Sequence, residues 1–404
     1  MVWIAAATAA TTLAATAGVI SVGRIALRKN LHVWVPGTIF RRPAHDWRRQ
    51  PTTVFLSVCD HYEPEWGKPD PRTALERVEE WRTRYPSQFT DIADDRGRSP
   101  QHTFFFPADE YRPEYLDAVA RMCDAGAGEV EVHLHHDNDT AENLRSTLLW
   151  FRNTLFQRHG LLRRDPVTGD IAWGFIHGNW SLCNCRPDGR WCGVDQELSI
   201  LRETGCYADF TLPSAPSPTQ TRTVNSIYYA ADRPGQRKSH DRGRPASVGR
   251  GPEERELLMI QGPLGLDWQR RKFGCVPRIE NADLTAANPP TMSRWPAWLD
   301  AGVAVEGRPD WLFVKLHTHG CQPANQKMWL GGTARQFHLD LAAWRKANPH
   351  VRVYYVTAWE QAQLVHQAES GVTTPDWQRL GAGPPSKLPP VRPARSSTSD
   401  PVVV

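Results

Sequence analysis

Between residues 51 and 370 the chain alternates short apolar runs with longer amphipathic ones. The first run, TVFLSVCD (Thr53–Asp60), is continuously apolar and β-rich, which predicts a strand covered on both faces. DPRTALERVEEWRTRYP follows, with Ala74, Val78 and Trp81 at helical spacing. HTFFFP predicts a second strand stopped by Pro107, and PEYLDAVARMCDAG a second helix ending at Gly126. In GEVEVHLHHDNDTAENL, Val130, Val132 and Leu134 alternate with Glu131, His133 and His135. That is the period of a strand, and it sets the two histidines on one face. Asp139 and Glu142 predict a capping box for a helix whose apolar side is Leu144, Leu148, Phe151 and Leu155. Further strands are expected in IAWGFIH, CYADFTL, ELLMI, DWLFVKLHTH and VRVYYV, the last running into a helix. Seven or eight strands with intervening helices predict an α/β fold, a distorted (β/α) barrel.

The two ends read differently. MVWIAAATAATTLAATAGVISVG carries no charged side chain before Arg24, and about 20 apolar residues suffice to cross a bilayer. A transmembrane anchor is expected over residues 1–27, then a basic linker over 28–50 with Arg28, Lys29, Arg41, Arg42, Arg48 and Arg49. A signal peptide competes, but no Lys or Arg precedes the apolar part. The positive-inside rule predicts a single-pass membrane protein with a cytoplasmic body, the extracytoplasmic side being the alternative. The barrel domain occupies residues 51–370, and the Pro/Ser-rich stretch 371–404 is expected to be disordered. The polar, aperiodic stretch 231–254 reads as an excursion loop.

Composition alters this little. Hydrophobic residues make up 40% and charged ones 23%, as in ordinary globular proteins. A net charge of +4, with no nucleic-acid-binding signature, argues against a nucleic-acid partner. The 17 tryptophans suit a large core or a cleft that stacks on sugars. The eight cysteines are scattered, without the C-x-x-C pairs of a structural zinc site, and are expected to be free thiols.

Three predicted strand ends carry ligand-type side chains: Asp60 with His61, the cluster His133, His135, His136 and Asp137, and His317 with His319. Zinc takes imidazole nitrogens and a carboxylate at about 2.0–2.2 Å, with one position left open for catalysis. In a βα architecture the carboxyl edge of the strands is where such groups converge. A divalent metal, zinc first, is therefore the expected cofactor, with Asp60, His133, His135 and Asp137 as ligands. His136 points the other way along the strand, Asp139 belongs to the helix start, and Lys315 is structural. His177, Asn179 and Trp180 follow another strand. Trp180, Trp268 and Trp329 are expected near the mouth.

These motifs resemble the polysaccharide deacetylase family, the NodB-homology domain, over residues 51–365. The family's paired aspartates fall on Cys59 and Asp60 in LSVCD, its H-x-x-x-H on His133 and Asp137, and its late histidine on His317 in VKLHTHG. The resemblance implies a metal-dependent hydrolase that removes acyl groups from a carbohydrate, with Asp60 and His317 as catalytic residues. FIHGNW looks like the family's substrate-groove strand, which makes His177, Asn179 and Trp180 candidate substrate-binding residues, and His61 and His319 are further candidates. Cys59 stands where the family has its base, so Asp60 would take that role or His135 would complete the metal set. Two rival readings are an amidohydrolase or phosphoesterase on a TIM-like barrel, and a domain that binds glycans without catalysis.

Overall fold

The computed structural model describes residues 23–39 and 44–380. Its strands are β1 (Thr52–His61), β2 (His102–Pro107), β3 (Gly128–Leu134), β4 (Arg163–Arg164), β5 (Ile171–His177), β6 (Cys206–Asp209) and β7 (Ile227–Ala230). After these come β8 (Arg244–Pro245), β9 (Leu257–Ile260), β10 (Gly265–Lys272), β11 (Val276–Glu280), β12 (Asp283–Leu284), β13 (Trp311–Thr318) and β14 (Val351–Tyr355). Twelve of them form one sheet in the order β12-β13-β1-β2-β3-β5-β6-β9-β7-β8, with β14 on β1 and β4 on β5. The ladders from β12 to β9 are parallel, and β7 joins antiparallel. This is the α/β fold that the alternation predicts, with one large, mostly parallel sheet. Among the described residues the pairing runs from β12 to β8 without closing on itself. β10 and β11 make a separate hairpin.

The long apolar runs are explained by two cores. Val54, Leu56 and Val58 of β1 join one buried cluster, whereas Phe55 and Cys59 join another. Phe104 and Phe106 part from Phe105 in the same way, as Leu312, Val314 and Leu316 do from Trp311 and Phe313. One core is closed by helices such as Pro71–Gln88, which presents Ala74, Val78, Trp81 and Tyr85. Asp70 caps that helix by accepting from the Arg72 and Thr73 amides, and Pro71 sets its first turn. The other core is closed by helix Ala358–Glu369.

The alternate face of β3 is polar yet buried. Glu129 and Glu131 are both held by Arg163 of β4, at 2.6 and 2.8 Å. Glu131 also accepts from the Gly174 amide and the Tyr207 hydroxyl. The paired charges of this triad let a charged strand face lie inside the protein.

Several boundaries are corrected. The helix after β3 is capped by Thr140, which accepts from the Asn143 amide, and ends at Gly160 in the left-handed region. Asp139 accepts from Thr140, Asn143 and His136 instead of forming the expected box with Glu142. The linker expected over 28–50 is partly packed: Trp34 is buried against Ala215, Val224 and Leu264. Residues 231–254 contain a short helical turn, Ser239–Asp241, and the strand β8. The body also continues past residue 370, since Trp377 packs 4.8 Å from Tyr354 and Trp359 Nε1 donates to the Leu380 carbonyl at 2.9 Å. Residues 381–404, most of the expected tail, lie outside the described residues. So do residues 1–22, which carry most of the anchor expected over 1–27. Among the described residues no helix is long and apolar enough to cross a membrane. The expectation of a single-pass membrane protein is corrected as far as the described residues reach.

One buried histidine makes stability pH-dependent. His338 is fully enclosed beside Phe89 and Phe337, with Nδ1 2.9 Å from the Tyr355 hydroxyl. Burial, and the nearby His102, push its pKa down to about 3. Unfolded, it titrates near 6.5, so between pH 6.5 and about 3 the unfolded chain takes up a proton that the folded chain refuses. Stability is therefore unaffected above that window and falls as pH drops through it, by up to about 1.4 kcal/mol per pH unit. Urea titrations at pH 7, 6, 5 and 4 on the wild type and on His338→Gln are expected to show a shallower acid slope in the variant. Equal slopes would contradict this account.

Candidate metal centre at the carboxyl edge of the sheet

The site grows out of strand alternation continued past the strand ends. On β1, Phe55, Cys59 and His61 face one way, and Glu63 follows two residues later. On β3, Glu131 and His133 do the same, with His135 just past its end, as do Phe313, Lys315 and His317 on β13, with His319 just past its end. Because β1 lies between β13 and β2, and β2 pairs with β3, these three rows converge at the carboxyl edge.

Glu63 is at their centre. Its Oε1 lies 3.1 Å from His135 Nε2 and 3.5 Å from His133 Nε2, and its Oε2 lies 2.8 Å from His319 Nδ1. The His61 ring is 4.5 Å from that of His319 and 4.8 Å from that of His133. Two donor triads share Glu63: His133 with His135, and His61 with His319, the ligand atoms of each within 4.8 Å of one another. A second layer orients the rings. His133 Nδ1 donates to the Ile176 carbonyl at 2.9 Å, which turns the lone pair of Nε2 toward Glu63. His135 Nδ1 is 3.1 Å from Asp109, whose other oxygen accepts the His135 amide. Such partners fix the tautomer of metal-binding histidines. Trp66 and Trp180 flank the centre, with rings 5.6 and 5.8 Å from His319.

The electrostatics fit a cation. Burial works to raise the Glu63 pKa, but the neighbouring imidazoles of His133, His135 and His319 outweigh it and hold the carboxyl well below the usual range. Burial opposes charge on His135, yet Asp109 and Glu63 raise it to about 10. His61 is held well below its ordinary value by burial and by the neighbouring histidines. A proton on His135 settles Glu63 Oε1 but leaves His61 Nδ1 and His133 Nε2 buried without a partner. Orphaned buried nitrogens cost free energy. A divalent ion coordinated by this set would satisfy them.

The expected ligand set is corrected in part. His133 and His135 are in the cluster, and His61 and His319 join it. Asp60 does not. It faces the helix side, fully buried, with Oδ2 2.8 Å from His102 Nε2 and Oδ1 accepting the Gly320 amide at 2.6 Å. Its neighbour Cys59 lies in the second core, where burial pushes its thiol up to about 12. Asp137 is exposed and accepts the Trp191 and Asn138 amides. His317 borders the cluster, its ring 6.3 Å from that of His61. Burial and the Lys315 charge hold its pKa well below 6.5, which disfavours a protonated acid there. Lys315 is structural as expected, donating to the Phe210 and Leu212 carbonyls. His177 and Asn179 lie elsewhere, with the Asn179 amide 3.3 Å from His177 Nδ1. Trp180 does border the centre, 5.8 Å from His61, whereas Trp329 is core and Trp268 stands exposed on the β10–β11 hairpin. Glu63 and Asp109 were not among the expected residues. The signal for Glu63 was available in H-x-E, His61 to Glu63, which repeats the spacing of His133-x-His135.

No family model matches the chain, and no curated protein matches it. Among solved structures it is similar to a 4-α-glucanotransferase from Thermococcus litoralis, at 12% identity and a TM-score of 0.38, over 78% of this chain and 40% of that one. The match spans less than half of that protein, and a likeness this distant assigns no activity. Asp60, which the deacetylase reading made both ligand and base, is instead bound to His102 Nε2 and to the Gly320 amide. The expected deacetylase activity is corrected on these findings.

Proposed function

We propose that this chain holds a divalent metal ion at Glu63 and is a metal-dependent enzyme. The observation that carries the reading is the pair of orphaned buried nitrogens, His61 Nδ1 and His133 Nε2, in a cluster organised around one carboxylate. Glu63, His61, His133, His135 and His319 hold the ion, Asp109 and the Ile176 carbonyl orient two of the rings, and the imidazole-rich set favours zinc-like ions over magnesium or calcium. Two features support catalysis over a closed structural role. The cluster lies at the carboxyl edge of parallel strands, the usual place for ligand sites in α/β folds. Its His135 and Asp109 side chains remain 26% and 40% exposed, so one side reaches solvent. When bound, the ion supplies Lewis-acid polarisation of a ligand oxygen. The indole faces of Trp66 and Trp180 suit the apolar face of a sugar ring, and a carbohydrate is the proposed partner.

Calorimetric titration of the dialysed full chain with Zn²⁺ tests the reading. The expected result is saturable binding with Kd below about 1 μM, in keeping with zinc sites worth about 10–16 kcal/mol. A chelator is expected to lower the unfolding temperature by removing a ligand of the folded state. No saturable binding, or none that depends on Glu63, would overturn it.

A further inference from the structure

The histidine that points away from the Glu63 centre has its own company. His136 meets His177, Cys192 and Glu197 on the opposite face of the sheet, their ligand atoms within 4.8 Å of one another. Glu197 Oε1 is 3.3 Å from His136 Nε2 and 3.8 Å from His177 Nε2, and Oε2 is 3.4 Å from Cys192 Sγ. A tetrahedral zinc with bonds of about 2.0–2.3 Å sets its donors about 3.3–3.6 Å apart. The side chains of His177 and Glu197 are fully buried and that of His136 is 6% exposed. Cys192 is fully buried too.

The hydrogen bonds around this group leave one ring nitrogen unserved. His136 Nδ1 faces Asp139 Oδ2 at 3.0 Å and Nε2 faces Glu197 Oε1 at 3.3 Å, two hydrogen bonds to carboxylates. Cys192 Sγ accepts the Asn184 and Val194 amides at 3.2 and 3.4 Å and, as a thiol, donates to Glu197 Oε2 at 3.4 Å, a proton that a bound metal would displace. Gly193 permits this turn: its φ is 105°, and a Cβ there would meet the Asp139 amide nitrogen at 2.5 Å. His177 Nε2 is buried without any hydrogen-bond partner. A proton on His136 would reconcile it with Glu197 and still leave His177 unserved, whereas a metal serves both rings.

We propose that His136, His177, Cys192 and Glu197 form a second metal site, closed to solvent, that takes a zinc-type divalent cation. It has four protein donors and no open position, the pattern of a structural centre. The ion ties the carboxyl ends of β3 and β5 to both ends of the loop 178–196. That loop carries Trp180, which borders the Glu63 centre, and it needs fixing: Trp180, Cys183, Asn184 and Trp191 all have positive φ. Coordination through Nε2 of His177 places its ring proton on Nδ1, at the loss of the 3.3 Å hydrogen bond that Nδ1 accepts from the Asn179 amide.

Cobalt titration of the reduced full chain tests this site separately from the first, because only this one contains sulfur. The expected result is a thiolate-to-cobalt charge-transfer band that saturates with one Co²⁺ per chain, persists in Glu63→Gln and vanishes in Cys192→Ala. Absence of the band in folded wild-type protein would overturn the proposal, and so would its survival in Cys192→Ala. The wild-type spectrum decides even where the cysteine variant does not fold. Loss of one of two zinc equivalents in Glu63→Gln with the cobalt band intact would show two independent sites.

Discussion

Replacing Glu63 with Gln is expected to weaken zinc binding at the carboxyl-edge centre by more than about a hundredfold, since even outer partners of a metal site are worth about 10–100-fold. Glu63 offers one oxygen to His133 and His135 and the other to His319, so each half of the cluster depends on it. Gln keeps the shape but loses the charge that a divalent ion requires. Asp109→Asn removes only the orienting partner of His135 and is expected to cost about 10–100-fold. Calorimetry on the three proteins, with far-UV circular dichroism to confirm folding, measures the order wild type, Asp109→Asn, Glu63→Gln. Equal affinity in wild type and Glu63→Gln would place the ion elsewhere.

Asp60 carries the second large effect, on stability. Asp60→Ala strands His102 Nε2 and the Gly320 amide in a fully buried pocket. At about 1–3 kcal/mol for each stranded group, a loss of about 2–6 kcal/mol is expected in urea denaturation. Asp60→Asn retains an acceptor for Gly320, the residue after His319, and is expected to bind zinc as the wild type does. Loss of zinc binding in Asp60→Asn at unchanged stability would restore Asp60 as a ligand.

The two residues show how far the sequence could be read. Period-two alternation correctly set His133 and His135 on one face and His136 on the other, because a side chain's face follows from local backbone geometry alone. The parallel sheet was legible for the same reason: runs such as TVFLSVCD need apolar cover on both sides, and two cores provide it. What alternation could not show is which face of each strand meets which neighbour. Asp60 and His61 are adjacent, yet one faces His102 under the helices and the other faces His133 across the sheet. That distinction depends on the order β13-β1-β2-β3, which is a tertiary property. Glu63 was passed over because it lies beyond the last apolar residue of its run, where a carboxylate reads as ordinary loop. The second cluster was hidden by distance along the chain, since His136 and Glu197 come from segments that only packing brings together.

Crystals of the full chain grown with zinc, and diffraction recorded on either side of the zinc absorption edge, test the central claim most directly. The account predicts an anomalous peak within about 2.0–2.2 Å of a Glu63 oxygen and of ring nitrogens among His61, His133, His135 and His319. A zinc peak coordinated instead by Asp60, Asp137 or His317, with the Glu63 cluster bare, would contradict it.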